Sequence, residues 1–192
     1  MRRIALCVAA LLLSACGQPH DTPDHEAAPT LACVRTATQP LAWSNPDAPD
    51  AVSVRAEGPT CKQAALFFVV RDAQGAPLWT HASTYAALSA GAASENLLPD
   101  VSETEMDAFL QNWARVTMQH ANQLPEWRAG EAGPSAAGQP LHYVTTLQRD
   151  AYETLRHADA PTICYAAAVA TTQCVAIDPQ TRAPRAIASY GP

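Results

Sequence analysis

The sequence predicts an α+β fold in which one mostly antiparallel sheet is packed by one main helix. A hairpin is indicated at residues 65–81, where an apolar run is followed by turn residues and a second short strand. Residues 102–123 have the apolar spacing of an amphipathic helix. Residues 162–190 contain three short apolar segments separated by turns, as in an antiparallel meander. Because the hairpin directly precedes the helix, we expect the helix to cover the sheet.

The hairpin is the clearest strand signal in the chain. Its first strand, 65–70, is continuously apolar, which favours a strand covered on both faces. Gly75 allows the positive φ of a tight turn, and 78–81 supply the returning strand. Upstream, a proline-rich segment leaves room for two shorter extended pieces, at 33–36 and 51–55.

The main helix has a clear start signal. Ser102 and Glu105 have the spacing of a capping box, and Pro125 is expected to end the helix. The apolar face comprises Met106, Phe109, Leu110, Trp113, Val116 and Thr117. Carboxylates in the first turn, Glu103, Glu105 and Asp107, stabilise the positive end of the helix dipole, so a catalytic role is not needed to explain them.

A second, short helix is predicted at 151–157, with Asp150 as its cap. Glu153 and His157 lie four residues apart on it, where they would share one face and resemble a general acid–base pair. Tyr152, Arg156 and Asp159 lie beside them. The same spacing is ordinary for an exposed, ion-paired helix face, and we adopt that interpretation.

Other candidate groups also have structural explanations. The four tryptophans, Trp43, Trp79, Trp113 and Trp127, would suit a ligand platform, but a core needs no such reason for aromatic residues. His81 and His120 are similarly expected to be structural. No motif for a serine nucleophile, a phosphate loop, a zinc helix or haem attachment is present. The sequence therefore predicts no catalytic residue and no cofactor.

Metal binding is not expected either. Residues 20–25 contain His20, Asp21, Asp24 and His25, whose side chains are of metal-ligand type. A linker lacks the surrounding groups that orient metal-binding imidazoles, so we interpret them as polar linker residues.

The charge balance argues against one class of partner. The chain has 12 basic and 18 acidic residues, a formal net charge of −6, and Lys62 is its only lysine. No basic stripe is present, so nucleic acid is not an expected partner.

The N-terminus has the pattern of a secretory signal. Arg2 and Arg3 precede an uncharged run, 4–13, which is too short for a membrane-spanning helix. Small residues follow the run, as a signal-peptidase site requires. We therefore expect residues 1–15 to be removed.

The residues around this cleavage site carry a more specific signal. Leu13-Ser14-Ala15-Cys16 resembles the lipobox of bacterial lipoproteins at all four positions. The resemblance implies a diacylglycerol on the Cys16 thiol, cleavage before Cys16 and acylation of the new amino terminus. In enterobacterial members, Asp after the cysteine favours the inner membrane. Gly17 and Gln18 follow here, which implies the periplasmic face of the outer membrane.

The remaining chain divides into a tether, 16–30, and a single globular domain, 31–192. Cys7 leaves with the signal and Cys16 takes lipid, so four cysteines remain: Cys33, Cys61, Cys164 and Cys174. An even number in an exported protein predicts two disulfides. Three connectivities are open, of which we predict the local pairs, Cys33–Cys61 and Cys164–Cys174. A metal site is less expected, because no Cys-x-x-Cys spacing occurs.

Three functional hypotheses follow. The first is a non-enzymatic binding or accessory protein of the envelope, which includes inhibitor-like and immunity-like lipoproteins. The second is an envelope hydrolase of an unrecognised type that uses Glu153 and His157, and the third is a structural envelope component. A deep pocket where His and carboxylate groups converge would favour the hydrolase, whereas a broad exposed apolar surface would favour partner binding.

Overall fold

Two antiparallel sheets form the framework of the structure. The computed structural model describes residues 32–89, 98–136, 138 and 140–192. Strands predominate over helices, which confirms the α+β class. The expectation of a single sheet is wrong, because the hairpin and the C-terminal meander belong to different sheets.

The first sheet has four strands in sequence order. They are β1 (Cys33–Leu41), β2 (Asp50–Gly58), β3 (Ala65–Arg71) and β4 (Pro77–Thr84). The pieces predicted at 33–36 and 51–55 are parts of longer strands that pair with each other over nine residues. Pro40 is tolerated in β1 because β1 is an edge strand.

The second sheet has five strands in the order β5, β7, β8, β9, β6. They are β5 (Thr117–His120), β6 (His142–Val144), β7 (Pro161–Ala168), β8 (Thr171–Ile177) and β9 (Pro184–Gly191). Strands β7 to β9 confirm the predicted meander, and β7 and β9 flank β8 on either side.

The described residues also form three α-helices, α1 (Tyr85–Ser89), α2 (Glu103–Trp113) and α3 (Arg149–His157), and a short 3-10 helix (Ala121–Gln123). The capping box of α2 is confirmed: the Ser102 backbone N–H donates to Oε2 of Glu105 at 2.8 Å, and the Glu105 N–H donates to the Ser102 hydroxyl at 3.3 Å. The predicted extent of 102–123 is wrong, because α2 ends at Trp113 and 117–120 form β5. Pairing with β7 gives these residues a backbone ladder in place of helical hydrogen bonds.

Helix α3 starts earlier than predicted, and a residue with a left-handed backbone conformation follows its C-terminal end. Gln148, not Asp150, is its N-cap, and no side chain caps it. Asp159 has φ 51°, and the N–H groups of Asp159 and Ala160 donate back to the carbonyls of Arg156 (3.0 Å) and Leu155 (3.2 Å). This pair of hydrogen bonds is the Schellman motif, which satisfies carbonyls at the end of a helix.

The main core lies between the inner face of the first sheet, β7 and β8 of the second sheet, and α2. Phe68 is fully buried there, and its ring stacks on Tyr165 with a centroid distance of 4.4 Å. Met106, Leu110 and Trp113 of α2 belong to the same cluster. Helix α2 therefore does not cover the first sheet alone, because α2 and the second sheet both pack against the inner face of the first sheet.

Three of the four tryptophans donate an indole hydrogen bond to a residue of β7. Nε1 of Trp43 donates to the carbonyl of Pro161 (3.1 Å), Nε1 of Trp79 to the hydroxyl of Tyr165 (2.9 Å), and Nε1 of Trp113 to the carbonyl of Ala166 (2.8 Å). A buried indole requires such an acceptor. These tryptophans are structural, as an ordinary core requires, and do not form a ligand platform together.

A second core lies on the opposite face of the second sheet. Tyr152 and Leu155 of α3 pack there with Ile187 and with the pair Cys164 and Cys174. The second sheet is therefore covered on one face by the first sheet and on the other by α3.

Both predicted disulfide pairs are present in the structure. Cys33 bonds Cys61, and Cys164 bonds Cys174. All four residues are at most 5% exposed, so the sulfurs are shielded from solvent. The first bridge ties the start of β1 to the loop after β2, and the second joins facing positions of β7 and β8.

Candidate interaction surface

The predicted acid–base cluster on α3 has a structural role. Oε1 of Glu153 accepts the Trp127 backbone N–H at 2.7 Å, and Oε2 accepts Nη1 of Arg156 at 2.7 Å. Nε of Arg156 donates to the Leu124 carbonyl at 3.0 Å. The Glu153–Arg156 pair therefore attaches the loop that contains Leu124 and Trp127 to α3. Both carboxylate oxygens of Glu153 accept a hydrogen bond.

The other members of the cluster do not converge with Glu153 on a cavity. His157 has an 80% exposed side chain, and its Nε2 lies 3.7 Å from Oε2 of Glu153, beyond hydrogen-bond distance. The Tyr152 hydroxyl donates to the Pro125 carbonyl at 2.7 Å, and burial raises the pKa of this phenol. Asp159 lies beside His120, with Oδ2 3.2 Å from Nδ1. These contacts hold α3 in place.

The carboxylates at the start of α2 have one partner that the sequence did not indicate. Arg35 of β1 forms a bidentate ion pair with Asp107 and also reaches Glu103 at 2.8 Å. The hydrogen bond from Arg35 lowers the pKa of Asp107. The pair therefore docks α2 against the first sheet, in addition to the helix-dipole effect expected from the sequence.

His81 lies between the two sheets. Its Nε2 is 3.2 Å from the Ala167 carbonyl, and its ring centroid is 5.4 Å from that of Tyr165. Burial lowers the pKa of His81, and the hydrogen bond to Ala167 opposes this shift. The unfolded chain therefore takes up the proton first as the pH falls. The contribution of neutral His81 to stability is complete above about pH 6.5 and declines as the pH falls below it.

A pH titration tests this assignment. We expect the wild-type protein to lose stability as the pH falls from about 6.5 to about 5.5, and His81→Gln to lose less over the same interval. Glutamine keeps a donor for the Ala167 carbonyl but does not titrate. Denaturant unfolding at each pH measures the difference between the two proteins. Equal pH dependence in both would show that His81 is not the group responsible.

The predicted lipidation site, Cys16, and the polar linker residues at 20–25 lie outside the described residues. Within the described ranges, no three His, Cys, Asp or Glu side chains are grouped so that they would hold a metal ion. Nor does that part of the chain contain a helix long and apolar enough to span a membrane.

The outer face of the first sheet is open to solvent. It consists of four rows of facing residues across β1 to β4: Val34, Glu57, Ala65 and Thr84; Thr36, Arg55, Phe67 and Ala82; Thr38, Ser53, Val69 and Thr80; Pro40, Ala51, Arg71 and Pro77. Phe67 is 39% exposed and Val34 is 44% exposed. The expectation that the 65–70 strand is covered on both faces is therefore wrong.

The outer face carries little charge. Its charged residues are Arg55 and Glu57, which form an ion pair with each other, and Arg71 in the last row. The rest are apolar or carry a single hydroxyl. The central parts of protein interfaces are likewise depleted of charged residues.

Sequence reasoning missed this surface for a specific reason. A continuously apolar strand normally indicates burial on both faces, and Phe67 and Val69 fit that pattern. The neighbouring strands carried the contrary signal, because Thr36 and Thr38 alternate with inward residues in β1, as they would on a solvent-facing surface.

The fold and this surface define a two-sheet, disulfide-bonded α+β domain with one open, nearly uncharged sheet face. Comparison of the chain with protein families, with curated protein sequences and with solved structures gives no match. We therefore infer the function of the protein from the residues of this chain alone.

Proposed function

We propose that this protein is exported, anchored by lipid on Cys16 to the periplasmic face of the bacterial outer membrane, and binds another envelope protein through the outer face of the first sheet. The observation that carries the proposal is the exposure of Phe67 and Val34 on an open sheet face that carries little charge. Aromatic side chains are enriched in protein interfaces relative to the rest of the protein surface.

The anchor and the disulfides support the envelope as the location. Leu13-Ser14-Ala15-Cys16 follows a charged start and a short apolar run, as in bacterial lipoproteins. Each buried methylene of an acyl chain contributes about 0.8 kcal/mol, so several chains on one residue hold a domain firmly at a membrane. Two disulfides agree with an oxidising compartment outside the cytoplasm. The polar segment 16–30 gives the domain reach from the membrane.

The outer face has the features of a protein-binding surface. Phe67 lies in one of the two inner rows of the face, between Arg55 and Ala82. An aromatic side chain at the centre of a surface is a typical energetic anchor of an interface. The alternative, a hydrolase that uses Glu153 and His157, lacks comparable support because the Glu153 carboxylate is already engaged by Trp127 and Arg156.

Site-specific photocrosslinking of the full-length protein in the source cell tests the proposal. A photoreactive residue at Thr38, on the outer face, is expected to give one discrete protein adduct. The same probe at His157, which is exposed on α3, serves as the matched control and is expected to give none. Phe67→Asp should abolish the Thr38 adduct, because it places a charge at the centre of the apolar face. Adducts that are equal at both positions, or unchanged by Phe67→Asp, would contradict the proposal.

A further inference from the structure

A recess of about 290 Å³ opens where α1, α2 and β7 meet, and it shares no residue with the outer face. It is lined by Leu88, Phe109, Asn112, Trp113, Arg115 and Ala166. This volume lies at the lower end of the range for ligand pockets, so it suits a single apolar group.

The aromatic walls of the recess are held by neighbouring groups. The Trp113 indole donates to the Ala166 carbonyl at 2.8 Å. The Phe109 ring lies 6.3 Å from Trp113 and meets Tyr85 edge-on at 5.1 Å, both between ring centroids. Walls that are already ordered lose little side-chain entropy when a ligand enters.

Arg115 stands at the rim with its guanidinium unengaged by any described residue. The other eight arginines of the described ranges each contact a carboxylate or a backbone carbonyl. A guanidinium without a partner among the described residues is an exception in a chain with a net charge of −6. Its two parallel N–H groups match a carboxylate.

Asn112 adds a second polar group at the rim. Its side chain makes no hydrogen bond to the described residues, and its amide can donate to and accept from a peptide group. Both Asn112 and Arg115 are exposed, so a chain that leaves the recess can continue into solvent.

From this arrangement we propose that the recess binds the C-terminal residue of a peptide that ends in an apolar side chain. The side chain packs against Phe109 and Trp113, the terminal carboxylate pairs with Arg115, and Asn112 bonds the preceding peptide group. Capture of a terminal carboxylate together with its side chain is a known mode of peptide recognition. The proposal is independent of the partner assigned to the outer face.

Binding of acetyl-Gly-Gly-Phe to the full-length protein tests this site, with Trp fluorescence or calorimetry as the readout. The free acid is expected to bind at least about tenfold more tightly than its C-terminal amide, because the amide lacks the charge-assisted bonds. Arg115→Gln should weaken binding of the acid to the level of the amide. Arg149→Gln, which removes an exposed arginine on α3, is the matched control and should change neither.

Two outcomes would overturn the proposal. Equal binding of acid and amide would remove the role of Arg115. Binding of 3-phenylpropionate as tightly as the peptide acid would assign the recess to small free acids and leave Asn112 without a function.

Discussion

Replacing Phe68 with alanine is expected to lower the free energy of unfolding by about 3–5 kcal/mol, the usual cost of truncating a fully buried aromatic residue. Phe68 is 0% exposed, stacks on Tyr165 and lies 5.5 Å from the Trp113 ring, between centroids. It therefore contacts the second sheet and α2 at once. Its loss leaves a cavity at the junction of all three layers.

The adjacent residue provides a matched control. Phe67 is the same residue type on the same strand, but it faces solvent, so Phe67→Ala should cost less than about 1 kcal/mol. Urea unfolding of both variants, followed by far-UV circular dichroism, gives the two free energies. Equal losses for the two variants would show that the strand does not present opposite faces to core and solvent.

Removing the disulfides one at a time should also have large and unequal effects. The Cys33–Cys61 bridge spans 28 residues and the Cys164–Cys174 bridge spans 10. Loop-closure entropy predicts losses of about 3.6 and about 2.7 kcal/mol, respectively, when each pair is replaced by alanine. The longer loop gives the larger loss because its unfolded chain gains more freedom when the bridge is absent.

Denaturant unfolding of the two double-alanine variants measures these losses. Their difference, about 1 kcal/mol, is more informative than either value alone, because both variants bury the same substituted side chains. Cys164 and Cys174 remain opposed through the β7–β8 ladder even without the bond, which also favours a smaller loss. A loss that is equal or larger for the Cys164–Cys174 pair would show that chain entropy is not the main contribution.

Local signals in the sequence predicted the parts of the fold that depend on local interactions. The start of α2 depends on the reciprocal bonds of Ser102 and Glu105, which only these two side chains and their own backbone make. The three strands of the meander are joined by short turns, so sequence neighbours become sheet neighbours. Local pairing of cysteines was predictable for the same reason.

The end of α2 could not be predicted in this way. Residues 117–120 continue the apolar spacing of the helix, but they pair with β7, which begins more than forty residues later. Such a long-range ladder outweighs helix propensity, which differs by only tenths of a kcal/mol among most residues. The number of sheets likewise depends on long-range packing between apolar faces, such as the stacking of Phe68 on Tyr165.

The interaction surface and the recess were hidden for related reasons. The outer face becomes visible only when the register of four strands places Phe67, Arg55 and Thr36 in one row. Arg115 gives no motif in the sequence, because its significance depends on having no described partner while other arginines have one. By contrast, Cys16 is predicted entirely from local sequence, as signal processing requires.

The mass of the mature N-terminal peptide tests whether lipid on Cys16 anchors the protein. The membrane fraction of the source cell is digested, and the peptide that contains residue 16 is analysed by mass spectrometry. We expect a peptide that begins at Cys16 and carries a diacylglycerol on the thiol, and we expect Cys16→Ala to release or mislocalise the protein. A mature protein that retains residues 1–15, or that carries an unmodified Cys16 thiol and is found in the soluble fraction, would rule out the lipid anchor.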